Sequence, residues 1–175
     1  VASAGHDTAS AVAGLPMERG GLWLSSGTWS ILGVESEKPV TTPEAYAAKL
    51  SNEGGVNKTT RLLHHVSGLW IIQECRRYWA ERGEEMSYAE LARLAEEAQP
   101  HTAYIDPNDP VFALPGDMPE KIEAFCEKTG QTVPKSKGQL LRVATESLAL
   151  KYRQVVESLS EVTGRTFDKL HAGGG

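Results

Sequence analysis

Leu22-Trp23-Leu24-Ser25-Ser26-Gly27-Thr28-Trp29-Ser30-Ile31-Leu32-Gly33-Val34 holds two apolar runs of strand length around a short turn of hydroxyls and glycine. The runs are Leu22–Ser25 and Trp29–Val34, and Ser26-Gly27-Thr28 joins them, so the stretch predicts a β-hairpin. The turn has two readings. In the first it only reverses the chain, and Trp23 and Trp29 pack beside it in a core. In the second, the Thr28 hydroxyl and the neighbouring backbone N–H groups hold the β- or γ-phosphate of a nucleotide.

Upstream, Val1–Ala4 reads as the end of a buried strand. Asp7 or Thr8 then caps a short helix over Ala9–Ala13 that stops before Pro16. Asp7 also has two readings. It is an ordinary N-cap, or it is a base that takes the proton of an attacking hydroxyl. Open α/β sheets bind ligands outside the carboxyl ends of their strands, where Asp7 would sit. Gly5, Ala9 and Ser10 leave room there for a substrate.

Downstream, helices dominate. Thr42-Pro43-Glu44 opens a helix to about Leu50, with Thr as N-cap and Pro at the first position. Asn52-Glu53-Gly54-Gly55 reads as a turn, and His64-His65 as loop residues or ligands ahead of the next helix. That helix runs from Leu69 to about Arg82 and ends at Gly83. Ser87-Tyr88-Ala89-Glu90 is a capping box for a helix to about Gln99. His101–Pro110 is a loop, and Asp117-Met118-Pro119 starts a helix ending at Gly130. A second capping box, Ser136 to Gln139, opens the longest helix, to about Thr163. Leu140, Ala144, Leu148, Tyr152, Val155, Leu159 and Val162 recur there at threes and fours, which gives one buried face. Gly164 closes the helix. Lys169–Ala172 is a short strand leading into Gly173-Gly174-Gly175. These glycines are a flexible tail or a loop that lets backbone approach a ligand closely. Strands at the start, helices in the middle and a strand at the end predict one α/β lobe.

The 175 residues suffice for one domain with a hydrophobic core, and the apolar fraction is 40%. Net charge is −5 with no basic cluster, which argues against nucleic acid as a partner. No apolar run reaches the length of a transmembrane helix, and no signal peptide is recognisable. Cys75 and Cys126 read as reduced, packed thiols of a cytoplasmic protein. The five histidines form no zinc pattern, so no metal ligand is assigned. Val1 and Gly175 both look like cut ends, so the chain is expected to be part of a longer protein.

Taken together, these pieces resemble the FGGY carbohydrate kinases over essentially all 175 residues. The resemblance rests on Gly5-His6-Asp7-Thr8-Ala9-Ser10-Ala11-Val12, on Ser25–Ser30 followed by Gly33-Val34-Glu35, and on Asn52-Glu53-Gly54-Gly55. It continues through Gly68-Leu69-Trp70 with Gln73-Glu74, Pro115-Gly116-Asp117-Met118-Pro119 and Thr129-Gly130-Gln131. Glu146–Leu150 with Tyr152-Arg153, and Leu170-His171 before the glycines, complete the set. Each motif alone is weak, and their order is specific.

The resemblance implies a ribonuclease H-like fold of the actin and hexokinase type, a mixed sheet with flanking helices. Two such lobes would enclose the site, and this chain would be the second lobe, with the N-terminal lobe absent. It implies transfer of the γ-phosphate of ATP, with Mg²⁺, to O1 of L-rhamnulose. By this match Asp7 is the catalytic base, and His6, Thr8 and His65 line the sugar. Thr28 holds phosphate, Gln73 contacts the nucleotide, and Gly173 and Gly174 begin the adenosine loop. One position departs from the family pattern: His65 stands where Asn is usual ahead of Gly-Leu-Trp, and this invites another ketose or polyol as substrate. A third reading is a non-catalytic module on the same fold.

Overall fold

The computed structural model describes residues 7–18 and 20–174, with the backbone alone for Asp7 and Asn57. The strand expected over Val1–Ala4, together with His6, lies outside the described residues. In chain order the elements are α1 (Asp7–Gly14), β1 (Leu22–Ser25), β2 (Ser30–Ser36), α2 (Pro43–Ala47), β3 (Ser51–Gly54) and β4 (Thr60–Val66). Then follow α3 (Trp70–Ala80), α4 (Tyr88–Glu97), α5 (Met118–Lys128), α6 (Lys137–Thr163) and β5 (Leu170–Gly173). The chain divides into two compact units, Val1–Val66 with Tyr152–Gly175, and Ser67–Lys151.

The first unit is built on a mixed five-stranded sheet in the order β3-β4-β2-β1-β5. β1 and β2 form the expected antiparallel hairpin, with Trp23 opposite Gly33 and Ser25 opposite Ile31. β5 lies parallel to β1, with Ser25 beside Gly173. Side chains alternate between faces with period two. On one face Trp23, Ile31 and Leu63 pack with Val12 of α1, and Leu15 and Met17 close over them. The other face carries Leu22, Leu24, Leu32, Val34 and Leu62, all buried. Burying each such side chain contributes about 1.5–3 kcal/mol.

Gly33 is the close-approach point of this sheet. A Cβ there would stand 2.6 Å from the Leu62 carbonyl oxygen and 2.8 Å from Trp23 Cζ2. The fully buried indole therefore lies against a bare backbone position. Gly33→Val is expected to destabilise the fold by about 2–3 kcal/mol through overpacking. A urea denaturation midpoint equal to wild type would show that the sheet has slack at this position.

Two strands depart from the sequence expectation. Asn52-Glu53-Gly54 is not a turn but most of β3, antiparallel to β4. His64 and His65 are not loop residues: both lie on β4, which pairs with β2 along seven registered positions from Ser30↔Val66 to Ser36↔Thr60. β4 carries polar residues into the interior because each finds partners. Arg61 donates from Nε to the Gly54 carbonyl at 3.1 Å and from Nη2 to Glu53 at 2.9 Å. His64 Nδ1 lies 3.2 Å from the Ala48 carbonyl oxygen.

The second unit is helical. Ile71, Cys75 and Trp79 of α3, Ile122 and Cys126 of α5 and Leu141 of α6 share one buried cluster with Phe112. Two of the expected caps form in full, one on α2 of the sheet unit and one on α4. Thr42 Oγ1 accepts from the Ala45 N–H at the start of α2, although this helix is shorter than its sequence suggests. The Ser87–Glu90 box closes in both directions. At α6 only half of the expected box forms: Ser136 Oγ accepts from the Gln139 N–H, but Gln139 Oε1 turns to the Lys135 N–H at 2.7 Å. Helix α6 then runs for 27 residues, its first part in this unit and its last part in the sheet unit. Leu140, Ala144, Leu148, Val155 and Leu159 are buried along it, as the periodicity predicts.

Candidate functional site

The hairpin turn and the final glycines meet. β1 and β5 run in the same direction and end side by side, at Ser25 and Gly173. Just beyond their carboxyl ends, the Ser26 N–H donates to the Gly173 carbonyl at 2.8 Å. The next residue, Gly174, takes φ +110°, and a Cβ on it would stand 2.1 Å from the Ser26 carbonyl oxygen. Two stretches far apart in sequence thus form one backbone edge at strand carboxyl ends, where α/β sheets place their ligands. The glycine is needed for this approach.

The turn presents its middle outward. Thr28 is exposed, and Trp29 is exposed by 56%. The expectation that Trp29 packs in the core is therefore corrected: Trp23 does, at 0% exposure, and Trp29 does not. A five-residue excursion between Ser25 and its cross-strand neighbour Ile31 leaves Trp29 outside the ladder that buries Trp23. An exposed hydroxyl on a turn at a strand end is a neutral donor suited to phosphate oxygens.

Asp7 is the first residue of α1, and the structure describes its backbone only. The roles expected of its carboxylate and of His6 lie outside the described residues. Thr8 follows Asp7 in α1 and is half-buried. His65 is on β4 opposite Ile31, on the sheet face that α1 covers. Its Nε2 lies 3.6 Å from Glu53 Oε1, and its side chain is half exposed. The sheet unit therefore holds Thr8, Thr28, His65, Gly173 and Gly174. Gln73 belongs to the helical unit, on α3, where it is half-buried and its N–H donates to the Leu69 carbonyl at 2.9 Å.

Sequence reasoning missed one contact at this site. The Tyr152 hydroxyl donates to Ser30 Oγ at 2.6 Å. Burial raises the Tyr152 pKa, and its bonds to the Ser30 and Ser26 side chains pull the other way. The signal was a tyrosine on the apolar face of α6, whose hydroxyl needs a buried partner.

Among the described residues no group of three or more His, Cys, Asp and Glu side chains is placed to hold a metal ion. Cys75 and Cys126 are free and buried. Burial, with Glu74 and Glu120 nearby, pushes the Cys75 thiol up to about 12, and burial raises Cys126 as well. Neither offers a thiolate nucleophile near neutral pH. No helix among the described residues is long and apolar enough to cross a membrane.

Known proteins resemble this chain along its whole length. A rhamnulokinase from Bacteroides thetaiotaomicron is 46% identical over 176 residues, covering 100% of this chain and 36% of its own length. A rhamnulokinase from Enterococcus faecalis is 42% identical, covering 98% of this chain and 35% of its own length. This chain thus spans about a third of the length of these relatives. Among solved structures, a xylulose kinase from Bifidobacterium adolescentis superposes with a TM-score of 0.61 at 20% identity, covering 97% of this chain and 32% of its own. One from Rhodospirillum rubrum gives 0.60 at 19%, covering 95% and 32%. These likenesses bear out the mixed α/β fold of the actin and hexokinase type. The family described as "FGGY family of carbohydrate kinases, C-terminal domain" matches residues 22–175, and the chain belongs to the FGGY carbohydrate kinases.

Proposed function

We propose that this chain is the second lobe of an ATP-dependent kinase that phosphorylates L-rhamnulose at O1, giving L-rhamnulose 1-phosphate in rhamnose catabolism in the cytoplasm. The single observation that carries the reading is the meeting of the Thr28 turn with Gly173 and Gly174 at the ends of β1 and β5. The substrate class follows from relatives named rhamnulokinase at 42–46% identity.

In the proposed reaction Asp7 accepts the O1 proton of the sugar. An O1–phosphorus bond forms as the bond from the γ-phosphorus to the β,γ-bridging oxygen breaks, and ADP leaves. Such transfer depends on positioning and on neutralising charge. Thr28 and the turn amides hold the migrating phosphoryl group, Gly173 and Gly174 border the nucleotide, and Gln73 contacts it. His6, Thr8 and His65 line the sugar. Mg²⁺ bound with the nucleotide would supply positive charge against its phosphates, and no residue of this chain is assigned as its ligand. An N-terminal lobe would close over the site and exclude water, which otherwise competes as acceptor. The 175-residue chain alone is therefore expected to show little or no kinase activity.

A second reading, another ketose or polyol as substrate, is favoured by His65. The complete protein that contains this chain decides between them when assayed with ATP against L-rhamnulose, D-xylulose, L-ribulose and glycerol. ADP release is followed, and ³¹P NMR identifies the ester. L-Rhamnulose is expected to lead the others in kcat/KM by about tenfold or more. A different preferred sugar establishes the second reading, and no turnover with any of them contradicts kinase activity.

A further inference from the structure

Thr28 faces solvent in the middle of its turn, yet both feet of the turn are tied down. At one foot, the Ser26 N–H is bound to Gly173. At the other, Ser30 is fully buried and pairs with Val66 on β4. The Tyr152 hydroxyl reinforces this second foot, donating to Ser30 Oγ at 2.6 Å. One helical side chain thus anchors the residue at which the turn re-enters the sheet.

Packing does not require that hydroxyl. Phenylalanine would fill nearly the same volume on α6 without needing a partner. Tyrosine instead brings a polar group to a half-buried place, where it is stable only while its partners stay in position. A bond of this kind fixes geometry more than it adds stability. In a transfer reaction, small displacements of the group holding the phosphate are costly in rate.

We propose that Tyr152 is a positioning residue for the phosphate turn: its hydroxyl holds Ser30, and with it the end of the turn, in the place that presents Thr28 and the turn amides to ATP. The proposal rests on the reading that this turn binds nucleotide phosphate. It assigns Tyr152 no contact with either substrate.

The test is Tyr152→Phe in the complete protein, read by steady-state kinetics with ATP and the preferred sugar and by calorimetric titration with ATP. KM for ATP is expected to rise about tenfold, the scale of one lost buried hydrogen bond. KM for the sugar is expected to stay within about twofold, and far-UV circular dichroism to match wild type. Ser30→Ala should reproduce the effect, and the double variant should be no worse than the worse single one, because both remove the same bond. An unchanged KM for ATP overturns the proposal, as does an equal rise in both KM values, which would mark a merely structural role. A wild-type protein that binds no ATP overturns the kinase reading itself and this proposal with it. Wild-type binding with an unaffected Tyr152→Phe variant overturns the proposal alone.

Discussion

Asp7→Asn in the complete protein is expected to lower kcat by about 10³-fold while ATP affinity stays near wild type, because a positioned general base contributes on the order of 10²–10⁴. Asparagine keeps the size and the capping ability of aspartate at the start of α1. The substitution therefore separates the two roles that the sequence allows. A cap lost to asparagine costs little in stability, whereas a base lost to asparagine removes the proton acceptor. Steady-state kinetics with a saturating sugar, beside a thermal melt, distinguishes them. A fall in kcat of less than about tenfold would leave Asp7 as a cap and require another base.

The second large effect lies at the opposite end of the chain. Gly174→Ala puts a methyl group 2.1 Å from the Ser26 carbonyl oxygen, where real contacts do not come below 3.0 Å. The neighbour is backbone, so it cannot rotate away. The φ of +110° is also one that alanine rarely adopts. The glycine edge and the Thr28 turn must then separate by about 1 Å, and, if the turn positions phosphate as proposed, such a displacement costs on the order of 10²-fold in rate. The expected result is a fall of that size in kcat/KM for ATP with a smaller change in KM for the sugar. Wild-type kinetics in this variant would mean that the edge is not part of the nucleotide site.

Much of the fold around the candidate site was legible in the sequence because its parts are local signals. Gly27-Thr28 between two apolar runs marks a turn, and the capping residues Thr42 and Ser87 announce their helices. The α6 periodicity marks its buried face. The sequence was hardest to read where burial and composition disagree. β4 is buried on both faces along most of its length, so it shows no alternation, and Arg61, His64 and His65 disguise it as polar chain. Arg61 and His64 find partners in Gly54, Glu53 and Ala48, which only the folded chain supplies, although Arg61 Nη1 is buried without one among the described residues. β3 reads as a turn because Asn52, Glu53 and Gly54 form an edge strand largely open to solvent. Trp29 was misplaced because its hydrophobicity argues for a core, while the length of the excursion before Ile31 carries it out of the ladder. The Tyr152–Ser30 bond joins residues 122 positions apart, and no local pattern encodes such a pairing.

The two parts of the inferred nucleotide site are united by a parallel strand pair. β1 delivers the turn and β5 delivers the glycines, and the parallel register sets both at carboxyl ends. An antiparallel β5 would carry Gly173 and Gly174 to the other end of the sheet, away from Thr28. The Thr28 turn comes early in the chain and the glycine edge comes last, and the parallel pair closes the distance between them.

A structure of the complete protein with Mg²⁺ and a non-hydrolysable ATP analogue tests the central claim most directly. The account predicts the β- or γ-phosphate within hydrogen-bond distance of Thr28 Oγ1 and the turn amides, with the nucleoside beside Gly173 and Gly174. An analogue bound with its phosphates elsewhere, and the Ser26–Ser30 turn touching only solvent, would contradict it.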